Sequence, residues 1–206
     1  METDNRYFYD PNENSVYKDV LTVLEIISVS NLSVILKNRS GKYKSMNEEK
    51  QKLWNAIKSF ELDQPEISLS FTDRLARENG WPIEYAIRAI SEYKKFIFLL
   101  VIAPHPLTPS DEVDQVWHLH LLYTQSYWED FCENTIKTKI HHGPTKGGFD
   151  EKTKFTNWYE KTKDLYFDIF ETKPPKDIWP ASDIRFSEIN FRRVNLKKNW
   201  ILKKPF

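Results

Sequence analysis

"WPIEYAIRAISEYKKFIFLLVIAPHPLTPSDE" (residues 81–112) sets the expectation for the whole fold. Ile83, Ala86, Ile87, Ile90, Tyr93, Ile97, Leu100 and Val101 recur at helical spacing, with Pro82 in the first turn. After Lys95 the pattern becomes apolar all round, which marks the second half of this helix (82–103) as the centre of a core. Three prolines in "PHPLTPSDE" then end it. Thr108 as N-cap, Pro109 at the first helical position and Asp111 two places later predict a second helix over 109–137. The pair reads as a long antiparallel helical hairpin, with the proline loop 104–109 as its corner.

Helical signals continue on both sides. Leu53, Trp54, Ile57 and Phe60 form one stripe of "MNEEKQKLWNAIKSF". "SFTDRLARENG" offers Ser70 as N-cap, Asp73 as its capping-box partner and Gly80 as a stop. "FDEKTKFTNWYEKTKDLYFDIFE" carries Phe155, Trp158, Tyr159, Leu165, Tyr166 and Ile169 on one side. "TKPPKDIWPASDIRF" is too proline-rich for a helix and is expected to lie extended on the surface. Residues 1–45 differ in composition: "LTVLEIISVSNLSVILKN" suits a short hairpin or a helix, and "NRSGKYKS" a linker. The expectation is a mainly α protein, with an N-terminal extension (1–45) and one helical domain (46–206). A small β or extended supplement comes from the termini, including a C-terminal wrap.

Composition narrows the function classes. Thirty basic and 30 acidic residues leave no net charge, so no global field favours nucleic acid. Five glycines in 206 residues argue against glycine-rich phosphate loops. A single cysteine rules out a disulfide within the chain and fits a reducing compartment. The start, "METDNRYFYDPNEN", lacks a basic, apolar leader, and no apolar run reaches membrane-spanning length. A soluble, cytoplasmic protein is expected, with no transmembrane segment.

The chemistry concentrates in "DEVDQVWHLHLLYTQSYWEDFC" (111–132), which holds two of the five histidines, two of the seven tryptophans and the cysteine. Asp114 and His118, four apart on a helix, share a face. The carboxylate could hold the imidazole in one tautomer, or the two could supply ligands to Zn²⁺ or Fe²⁺. His120 lies roughly 200° around the helix from His118, so "HLH" is not one chelate. Further donors must come from His105, in the proline loop, or from His141 and His142 beyond the helix. A continuous helix would put His142 about 40 Å away unless the chain turns back. Equally, Asp114, Trp117, His118 and His120 could form a structural network in an apolar helix, because buried polar groups need partners. Cys132 reads as a core residue.

Two other segments carry alternatives. In "HHGPTKGG" the glycines and Lys146 could present backbone N–H groups and a charge to an anion, or form only a glycine turn. The segment 191–206 holds Arg192, Arg193, Lys197, Lys198, Lys203 and Lys204 with Phe191, Trp200 and Phe206, and no acid. It could meet nucleic acid or an anionic surface, or pack as a wrap with Trp200 on the domain.

"FTDRLARENGW", "HPLTPSDEVDQVWHLHLLYTQSYWEDFC", "HHGPTKGG", "DIWP" and "NWILKKP" follow one another in an order that resembles the glycine-rich domain-containing protein-like family of plants and bacteria. The likeness spans residues 50–206 and places Asp114, Trp117, His118 and His120 on the family's signature. It implies one domain with an ordered cluster, and no established activity comes with it. Two functions are expected from these readings. The first, and the preferred one, is a binding or adaptor module whose aromatic and basic surface meets a partner protein or nucleic acid. The other is a metal-assisted hydrolase or related enzyme using Asp114 and His118, with His105 or His142 completing a divalent metal site.

Overall fold

The computed structural model describes residues 47–143 and 149–187, together with 194, 197–198 and 200–202. These belong to one unit of the chain, 46–206. The hairpin or helix expected in residues 1–45 lies outside the described residues, as does Lys146. Among the described residues there are seven helices and no strand, so the protein is mainly α. They are α1 (Glu48–Ser59), α2 (Phe71–Asn79), α3 (Ile83–Ile102), α4 (Asp111–Leu122), a π-helical segment (Ser126–Thr135), α5 (Phe149–Phe170) and α6 (Ser182–Arg185).

Local chemistry fixes the early boundaries. The Asn47 side chain accepts from the Lys50 N–H and starts α1. Ser70 and Asp73 cap α2 reciprocally, as the sequence predicts. Gly80 ends α2 at φ +66°, a left-handed conformation in which a Cβ would be strained.

Helix α3 is the centre, packed against α1, α2, α4 and α5. Phe96, Ile97, Phe98 and Leu99 are fully buried, and each such burial is worth about 1.5–3 kcal/mol. The first half differs from the predicted stripe. Ala86, Ala89 and Tyr93 face inward, while Ile83 and Ile87 are exposed. Small alanines let neighbouring elements approach closely there. Glu92 is buried as well, and its cost is offset by three donors. Lys95 Nζ (2.8 Å) and the Tyr166 hydroxyl (3.2 Å) reach one carboxylate oxygen, and Trp179 Nε1 (3.0 Å) reaches the other.

Helices α3 and α4 meet through the Tyr93 hydroxyl, 2.8 Å from His120 Nδ1, and through the Phe96 and Trp117 rings, 5.7 Å apart between centroids. Tyr85 and Arg88, early in α3, both hydrogen-bond to Asp177. The proline segment joins the two helices as a strap. Prolines suit it: they favour extended backbone and leave fewer N–H groups to satisfy.

The strap is buried at Leu107, Thr108 and Ser110, so its backbone needs partners. Thr162 of α5 supplies them, its hydroxyl meeting the Thr108 N–H at 3.1 Å and the Thr108 carbonyl at 3.0 Å. The cap of α4 also moves from the predicted Thr108 to Ser110, whose Oγ accepts from the Val113 N–H at 3.2 Å. Pro109 accordingly lies before the helix, and Asp111 is its first residue.

The predicted continuous helix 109–137 is interrupted at Tyr123, whose φ of −88° and ψ of 65° are not helical. The chain resumes as a π helix, a rare form in which each N–H reaches one residue further back. The proline-rich stretch 172–186 is likewise not a surface strand. Ile178 and Trp179 are buried and α6 is a short helix. Trp200 does not pack as a wrap would require, being 97% exposed.

Ser110→Ala is expected to cost about 1 kcal/mol in chemical denaturation, the usual loss of a helix cap. Thr108→Val should cost little, because the buried Thr108 hydroxyl has no hydrogen-bond partner. A larger loss at Thr108 than at Ser110 would contradict the observed cap.

Candidate metal centre

Asp114 and His118 project from the same face of α4, one turn apart. The Asp114 Oδ2 to His118 Nε2 distance is 3.9 Å, too long for a hydrogen bond but close enough for a shared ligand. The partner that Asp114 does engage is His142, whose Nε2 lies 2.7 Å from Oδ1. The His118 and His142 rings stand 4.5 Å apart between centroids. Ligand atoms of all three residues lie within 4.8 Å of one another. Two donors on one tetrahedral Zn²⁺ are about 3.4 Å apart, given bonds of about 2.1 Å. The observed separations bracket that value, so side-chain rotations alone could bring the three onto one ion.

Burial grades across the trio. Asp114 and His142 side chains are 18% and 17% exposed, while His118 is 51% exposed. One side of the cluster therefore rests on the protein and the other opens to solvent. Three protein donors with an open side are what a catalytic metal site requires, since structural sites close the fourth position.

His142 reaches the cluster because the chain turns back after α4. The Tyr127 hydroxyl accepts from Trp117 Nε1 at 2.9 Å and donates to the Ile140 carbonyl at 2.7 Å. This ties residue 140 to the middle of α4, two positions before His142. Trp117 contributes again by packing its ring edge-on against His142, centroids 4.5 Å apart. The Cys132 thiol also meets the Ile140 backbone, and burial pushes its pKa up, which fits a core role rather than a nucleophile.

The other sequence candidates fall elsewhere. His120 is fully buried on a different face from His118, its Nδ1 meeting the Tyr93 hydroxyl and its Nε2 the Ser126 hydroxyl at 3.3 Å. Phe60, Phe71, Tyr127 and Phe131 surround the ring, and burial drives its pKa down to about 3. It is a neutral core imidazole. His105 is outside the trio; it is half-buried and its Nδ1 lies 3.2 Å from the Pro106 carbonyl. His141 lies tilted against Trp128 instead, centroids 5.4 Å apart. Tyr127, Ile140 and Arg185 escaped the sequence reading. Arg185 pairs with Asp111 at 2.8 Å and bonds to the Pro109 carbonyl, tying α6 to the start of α4. Only the "YW" in the quoted stretch hinted at Tyr127, since a buried tyrosine hydroxyl needs partners.

Two measurements test this arrangement. Tyr127→Phe leaves the Trp117 N–H and the Ile140 carbonyl unpaired, and should lower stability by about 2 kcal/mol or more in urea. For His120, the folded state holds the imidazole neutral down to about pH 3, while the unfolded chain protonates near 6.5. The unfolded state thus binds the extra proton between these values, and stability falls as pH drops through that window. The loss should approach about 1.4 kcal/mol per pH unit near pH 5, and His120→Asn should flatten that slope.

Comparison with protein-family models, curated proteins and solved structures finds no match for this chain.

Proposed function

We propose that the protein binds a divalent metal ion through Asp114, His118 and His142, and that it works as a metal-assisted hydrolase or related enzyme. The observation that carries this reading is the convergence of His142 on the Asp114–His118 pair, three donors within 4.8 Å. Two imidazole nitrogens and one carboxylate oxygen form a borderline donor set, which suits Zn²⁺ or Fe²⁺ better than Ca²⁺ or Cu⁺. Such an ion supplies Lewis acidity and an activated water at neutral pH.

The chain's own residues have distinct parts in this reading. Asp114 lies in the first turn of α4, where the helix dipole favours its charge. Trp117 limits the tilt of the His142 ring, and Tyr127 fixes the backbone that carries it. His118, the most exposed donor, stands at the side from which a substrate arrives. The resemblance to the glycine-rich domain-containing protein-like family belongs to the same reading. Of its signature positions, Asp114 and His118 are donors, Trp117 braces the third donor, and His120 anchors α4 in the core. The adaptor reading has separate support in the exposed Trp200, Ile201 and Leu202, which lie outside this centre.

Elemental analysis of untagged protein, loaded with Zn²⁺ or Fe²⁺ and desalted, is expected to show about one ion per chain. Asp114→Ala and His142→Ala should each weaken binding tenfold or more, whereas His105→Ala should not change it. A folded wild-type chain that binds neither ion at micromolar concentration sinks the proposal. Retention of the ion by both donor variants does so too.

A further inference from the structure

The basic segment 191–206 carries its own chemistry, independent of the metal centre. Trp200, Ile201 and Leu202 are 97%, 64% and 87% exposed, three consecutive large apolar side chains turned to water. Scattered exposed apolar residues are ordinary, but a contiguous run marks a contact surface. Lys197 and Lys198 precede this run and Lys203 and Lys204 follow it, while no acidic residue occurs after Glu188. Residues 1–190 hold 24 basic side chains against 30 acidic ones. The segment 191–206 is therefore net positive, in contrast to the net negative residues 1–190, and its charge flanks one apolar triplet.

We propose that residues 197–204 dock on an anionic lipid surface. Trp200, Ile201 and Leu202 enter the boundary between headgroups and acyl chains, and the net positive charge of the surrounding sequence attracts the headgroup phosphates. An apolar wedge framed by lysines matches both layers of that interface. Lysine stems can lie along the apolar boundary while their ammonium groups stay wet. Single-stranded nucleic acid fits the same charge less well. It is held by stacked rings, and Ile201 and Leu202 offer no π-face to a base. The acidic balance of residues 1–190 also denies it a wider basic groove. No described helix is long and apolar enough to cross a membrane.

Co-sedimentation of the full chain with phosphatidylcholine vesicles, with and without about one-third phosphatidylserine, tests this. Binding is expected only to the anionic vesicles and should fall steeply as salt rises to about 0.5 M. The double variant W200A/L202A should bind at least tenfold more weakly with an unchanged melting temperature, because both side chains are exposed. Replacing Lys197, Lys198, Lys203 and Lys204 by serine should abolish binding. The proposal is overturned by equal binding to neutral vesicles, by no binding to either kind, or by binding that survives both variants. Binding of polyuridylate without vesicle binding would instead make the segment a nucleic-acid contact. A lowered melting temperature in W200A/L202A would mean that the triplet packs on the protein.

Discussion

The Tyr127 hydroxyl is one oxygen with two obligations. It accepts from Trp117 in α4 and donates to the Ile140 carbonyl beyond the π segment. Both partners are buried, so neither can turn to water if the hydroxyl is lost. That requirement holds the chain after the π segment against α4, and His142 follows two residues later. The meeting of Asp114, His118 and His142 depends on this fold-back more than on any one side chain's own rotamer. Trp117 serves both ends, through its N–H to Tyr127 and through its ring edge against His142.

A second constraint acts on the other side of α4. The segment that joins α3 to α4 is buried at Leu107, Thr108 and Ser110, so its backbone needs partners inside the protein. Thr162 satisfies the Thr108 backbone, and Arg185 holds the Pro109 carbonyl and the Asp111 carboxylate. Burial raises the Asp111 pKa while Arg185 opposes the shift, so the pair is held where water is scarce. Glu92 uses the same logic in α3, with Lys95, Tyr166 and Trp179 as donors. Among the described residues, Glu92, His120 and Thr162 are the buried polar side chains that join elements distant in the chain.

Sequence was most informative where the physics is local. The Ser70–Asp73 capping box and the Gly80 stop depend on neighbours within one turn, and the structure has both. The all-round apolar run after Lys95 could be read as a core helix because it continues the helical spacing that begins at Ile83. The Asp114–His118 pair and the opposite placement of His120 follow from helical period alone. Thr108 and Ser110 compete as caps with similar chemistry, and the burial of the strap, a tertiary effect, gives the cap to Ser110. The break at Tyr123 has no glycine or proline to announce it. His142 stood among three candidate histidines, and a bond between residues 127 and 140 separates it from the others.

The contact between Asp114 and His142 joins residues 28 apart in the chain. An ion shared by them would act as a cross-link, closing the intervening loop in every state that keeps the ion. Closure of a loop that long removes conformational freedom mainly from the unfolded ensemble. With a single cysteine, this chain has no internal disulfide to do the same. Metal supply would then govern how long the folded chain survives as well as what it does. Starvation for the ion would be read first as faster opening of the segment between α4 and residue 142.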